Sequence, residues 1–104
     1  MSERANALRG EAELTVAGEQ LVLRPSFAAL VAAEEELGSL FDLVERAANG
    51  QLTLAEVAGL LWHVIRDRPD GLTREDFGEA MLALGLASVT PVLKIVLRQI
   101  LAGR

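Results

Sequence analysis

The 104 residues suffice for one domain, and at 51% hydrophobic and 24% charged they can bury a core without cross-links. The chain has no cysteine and one histidine, which excludes disulfides and cysteine nucleophiles and leaves no donor set for zinc. A formal net charge of −5 argues against non-specific binding to nucleic acid or an anionic membrane. No apolar run approaches about 20 residues and no signal-peptide core is visible, so the chain reads as cytoplasmic, without a cofactor.

Residues 1–9 show no hydrophobic period and read as a loose arm, followed by one folded unit over residues 10–104. Residues 11–24 alternate: Ala12, Leu14 and Val16 share one face, and Leu21 and Leu23 resume it beyond a turn containing Gly18. Period two around such a turn predicts a β-hairpin, whose apolar face needs helices to lie on. Pro25 ends it. Ser26 then caps a helix over 27–37, closed by Gly38. Its apolar stripe is Phe27, Leu30, Val31, Ala33 and Leu37, and Glu34 falls inside that stripe. A carboxylate there is expected to bond an arginine or the free N–H groups of the next helix, as a structural group.

Residues 40–48 form a short helix with Leu40, Leu43, Val44 and Ala47 inwards. The central helix is predicted over 54–66. Thr53 and Glu56 stand at capping-box spacing, and Leu54, Val57, Leu60, Leu61, Trp62, Val64 and Ile65 cover roughly 200° of its circumference. A helix so broadly apolar must be covered from two sides, which makes Leu61 and Trp62 the centre of the core. Glu56, Gly59, His63 and Asp67 fall on its other, solvent-facing side. Residues 68–71 make a turn, Thr73 caps a helix over 74–84, and Gly85 stops it. Thr90 and Pro91 are placed as N-cap and first residue of a last helix running to Ala102, with Gly103 past its end.

Chemistry-bearing constellations are scarce. Residues 66–77 fail as a calcium loop, because its ligand positions fall on Arg66, Arg68 and Phe77. His63, with Asp67 and Glu56 one and two turns away, has no nucleophile to serve and reads as a surface histidine. The last helix says more. Val92, Leu93, Val96, Leu97 and Ile100 form its core stripe, Lys94 and Arg98 lie opposite, and Ile95 and Leu101 flank the stripe. Residues 81–104 carry three cations and no acid, on a body that is otherwise acidic. In the preceding helix Leu82 also falls outside the stripe, beside Glu75 and Glu79. Leu82, Lys94, Ile95, Arg98 and Leu101 are therefore the candidate protein-binding surface, for a partner chain or a second copy.

The order of elements also carries a resemblance. A hairpin ending in Leu21-Val22-Leu23-Arg24 runs into an Ala- and Glu-rich helix closed by Glu34-Glu35-Glu36-Leu37-Gly38, then Asn49-Gly50-Gln51-Leu52-Thr53 and a Leu-rich helix. Over residues 10–102 this resembles the small protein of gene transfer agents and related prophages that is grouped with phage tail assembly chaperones and also labelled a tail tube protein. The resemblance implies a helper of tail assembly that binds the tape-measure protein or tube subunits. It brings no catalytic residues. Glu34, Leu37 and Gly38 match its helix-end pattern and are carried over as structural residues, although three consecutive glutamates stand where the family more often has alanines after the first.

The expected fold is α+β, mostly helical: an N-terminal β-hairpin packed on about five short helices. The expected function is non-enzymatic, acting by reversible burial of apolar surface on a tail protein. A tail component retained in the particle and a small regulatory binding domain are the alternatives. The latter lacks a basic recognition helix.

Overall fold

The computed structural model describes residues 12–16 and 18–102. The arm over 1–9 and the helix end at Gly103 lie outside them. Two strands, β1 (Ala12–Val16) and β2 (Glu19–Leu23), pair antiparallel with Ala12 opposite Leu23 and Val16 opposite Glu19. Five helices follow: α1 (Phe27–Leu37), α2 (Leu40–Ala48), α3 (Leu54–His63), α4 (Arg74–Leu84) and α5 (Leu86–Ala102). The fold is α+β and mostly helical, with the hairpin packed on the helices.

The hairpin alternation holds where it can be read. Ala12, Leu14, Val16, Leu21 and Leu23 are buried in one core with Leu60, Leu61, Phe77, Met81 and Val96, and β1 lies against α4 and α5. Gly18, at φ +78°, supplies the left-handed residue that the turn requires. Helix starts are written locally. Ser26 Oγ accepts the Ala29 N–H, and Thr73 Oγ1 accepts that of Asp76. Thr53 and Glu56 form a complete capping box, each accepting the other's backbone N–H at 3.0–3.1 Å.

Two ends differ from the sequence reading. The central helix stops at His63, and Ile65–Arg66 forms a third strand, β3, antiparallel to β2 with Leu23 opposite Ile65. The Arg24 N–H also donates to the Val64 carbonyl at 2.7 Å. A β2 edge left open would carry unpaired backbone groups, and two β-branched residues, Val64 and Ile65, are better strand than helix formers.

The last helix starts at Leu86, one turn early, directly after Gly85 at φ +98°. Pro91 sits inside it rather than at its start, and Thr90 donates its hydroxyl to the Leu86 carbonyl instead of capping. The extra turn brings Val89 into line with Val92 and Val96 as the buried face. The fully buried residues centre nearer Ile95 than the expected stripe does, and Leu93 and Leu97 pack at the margin.

α3 is covered from two sides, by α1 and α4, and Leu61 is fully buried. Trp62 is only half-buried. Its ring meets Phe77 at 5.9 Å between centroids, and the Arg68 guanidinium lies 4.4 Å over it.

Candidate interaction surface

α1 packs inwards with two of its alanines and two leucines, and leaves Phe27 and Val31 outside. Ala33 is buried and Ala29, Leu30 and Leu37 pack against the core, whereas Phe27 is 85% exposed and Val31 is also open. The expected core stripe of α1 is thus corrected. Glu34 does share a stripe with Phe27 and Val31, but that stripe faces outwards. From there Glu34 Oε2 accepts the Leu40 N–H at 3.1 Å, at the first residue of α2, and Gly38 turns the chain between the two helices at φ +85°.

α2 buries Leu40 and Leu43 and leaves Phe41 83% exposed. Between α2 and α5 an apolar groove stays open. Leu52, Leu54 and Val57 wall it near the start of α5, beside Leu86, Thr90 and Leu93. Further along, Val44, Ala47 and Ala48 of α2 face Lys94, Leu97, Arg98 and Leu101 across a cleft of about 480 Å³. At the far end a cleft of about 350 Å³ is bounded by Phe27, Val31, Glu34, Phe41 and Leu101. From Leu86 to Leu101 the α5 wall runs about 22 Å at 1.5 Å per residue.

The predicted surface residues separate on this frame. Lys94, Arg98 and Leu101 line the groove, with Leu101 64% exposed. Ile95 does not: it is half-buried and packs against the core beside Val92 and Val96. Leu82 is exposed but stands on α4, beyond the 116° bend between α4 and α5, while Leu101 closes the opposite end of α5. Leu82 and Leu101 are therefore parts of two surfaces. Reading the residues missed Phe27 and Val31, which were assigned to the core, and Phe41, which was assigned to nothing. Phe41 had a signal, since a helical wheel sets it beside Ala48 and Glu45, at the edge of the stripe of Leu40, Leu43, Val44 and Ala47.

Charge is treated differently where the helices meet one another. Glu36 bonds the Arg74 guanidinium through both carboxylate oxygens and the His63 imidazole at 2.7 Å, tying α1 to α3 and α4. Arg74, then His63, hold its carboxyl well below the ordinary 4.5, at about 2. Glu56 sits equally low, at about 2, through Arg46 and the Thr53 N–H. His63 is thus not a solvent-facing group oriented by Asp67 or Glu56. It is half-buried, and α1 covers the side of α3 that was expected to be open. Gly59 permits that approach: a Cβ there would stand 2.5 Å from Arg74 Nη2 and 3.3 Å from Leu37 Cδ2. By contrast, among the described residues Lys94 and Arg98 have no ion-pair partner.

Among the described residues no three His, Asp or Glu side chains converge to hold a metal, and no single helix is long and apolar enough to cross a membrane. The chain matches no curated protein and no solved structure. A model of the family described as phage tail tube protein, GTA-gp10, matches residues 9–103, and the chain belongs to that family.

Proposed function

We propose that this chain is a non-enzymatic tail assembly chaperone. It binds another tail protein, the tape-measure protein or a tube subunit, in the cytoplasm of the producing cell and leaves before the particle is complete. The observation that carries this reading is the α2–α5 groove, which ends in two almost fully exposed phenylalanines, Phe27 and Phe41, beside Leu101. Aromatic anchors at the end of an apolar groove suit an amphipathic helix, whose apolar face they would cover. Lys94 and Arg98 on the groove wall select an occupant that carries acids and set its orientation more than its affinity.

The test is co-expression with the tape-measure and tube proteins of the same cluster. Phe27→Asp combined with Phe41→Asp should leave the melting temperature unchanged, because both rings are already in water. Recovery of the partner should fall on the order of tenfold or more, as expected for anchor residues. Unchanged recovery places the contact elsewhere. Mass spectrometry of purified particles separates the chaperone from a retained component: the chaperone is absent from them, and stoichiometric presence overturns that part of the reading.

A further inference from the structure

Two surfaces of this chain carry one spacing with opposite charge. On the outside of α4, Glu75, Glu79 and Leu82 are exposed at i, i+4 and i+7. On α5, Lys94, Arg98 and Leu101 are exposed at i, i+4 and i+7 and line the groove. Between the acids, on the same side of α4, stands Gly78, where an added Cβ would meet nothing within 4 Å. Between the cations, at the matching position, stands Leu97.

We infer that α4 of a second copy docks in the α2–α5 groove, parallel to α5. Glu75 then stands level with Lys94, Glu79 with Arg98 and Leu82 with Leu101, and Gly78, without a side chain, lets the helices come close. Only the parallel register brings each acid level with a cation and leucine level with leucine. The reversed one sets Leu82 against Lys94 and Glu75 against Leu101. Within one chain these charges are unused: among the described residues neither the two acids nor the two cations have an ion-pair partner. A face-to-face dimer of two grooves would bring Lys94 and Arg98 against their own copies, so charge favours the unlike pair of surfaces. Such a contact is heterologous and repeats head to tail, giving a ring or a filament. The inference rests on the groove being a docking surface and adds its regulation: self-association fills the groove until a tail protein displaces the second copy.

The experiment is sedimentation of the full chain over a range of concentrations at low salt. The wild type should rise above the 11.1 kDa monomer with concentration and fall back towards it in high salt. Lys94→Glu with Arg98→Glu should be monomeric, and so should Glu75→Lys with Glu79→Lys, each with an unchanged circular dichroism spectrum. Mixing the two double variants, or joining all four changes in one chain, should restore the larger species. Gly78→Leu supplies a charge-neutral check, retaining the fold and losing the assembly. A wild type that stays monomeric overturns the inference, as does a mixture that does not recover. Phe27→Asp with Phe41→Asp tells the two readings apart. If it loses the tail protein and the wild type never self-associates, the docking reading stands and this inference falls.

Discussion

The α1–α3–α4 side and the α2–α5 side of this molecule are built from similar residues and finished differently. On the first, Glu36 is answered by Arg74 and His63, and the glycine at 59 lets helices approach. On the second, Phe27, Phe41 and Leu101 stay in water, and Lys94 and Arg98 have no counter-ion among the described residues. A domain of this size has too little core to spare large apolar side chains without reason. The difference separates what holds the chain together from what this chain by itself leaves uncovered.

Truncating α3 tests that division most severely. Leu61→Ala removes a fully buried side chain from a helix packed on two sides and should cost about 2–5 kcal/mol in denaturant unfolding. A loss below about 1 kcal/mol would move the stabilising centre away from α3. Next comes a pair on one helix. Ile95→Asp sets a carboxylate against the core and should cost about 1–3 kcal/mol, whereas Leu101→Asp, already exposed, should stay within about 0.5 kcal/mol of wild type. Equal losses at both positions would erase the boundary between core face and groove on α5.

That pair also shows how far the sequence could be read. Alternation in the hairpin, the caps at Ser26, Thr53 and Thr73 and the burial of Leu60 and Leu61 on α3 are local signals that stand where they were read, whereas Thr90 does not cap and Trp62 is not the centre of the core. What failed needed partners distant in the chain. On α5 the expected stripe of Val92, Leu93, Val96, Leu97 and Ile100 does meet the core, but the core also takes Ile95 on its flank, because the fully buried residues Val89, Val92 and Val96 centre nearer to it. In α1 the stripe held at Leu30, Ala33 and Leu37 but was drawn too wide, since close packing on α3 turns Ala29 inwards and Phe27 and Val31 away. The strand at Ile65–Arg66 pairs with the open edge of β2, which two residues, one of them an arginine, cannot announce. The candidate surface was legible as cations and leucines on α5, and its aromatic end was not, because it joins three helices.

The smallest effect expected sits at Gly59, where two terms oppose. Alanine in a helix interior gains about 0.5–1 kcal/mol over glycine. Its Cβ, however, would push the Arg74 guanidinium off Glu36, an exposed pair worth about 1 kcal/mol or less. At neutral pH Gly59→Ala should therefore sit close to wild type, and pH takes the two terms apart. Glu36 has a carboxyl lowered from 4.5 to about 2 in the folded chain, first by Arg74 and then by His63. A depressed carboxyl stabilises above its unfolded value and loses that contribution as pH falls through the window from about 4.5 to 2. The helix term is independent of pH. Urea unfolding from pH 7 down to pH 2 should then show Gly59→Ala gaining on wild type below pH 4.5, and Glu36→Gln showing a shallower acid loss than wild type over the same range. A constant difference between Gly59→Ala and wild type at every pH would mean that the guanidinium relaxes around the methyl group and keeps its hold on Glu36. The tie between α1 and α4 would then survive a substitution that the close contact says it should not.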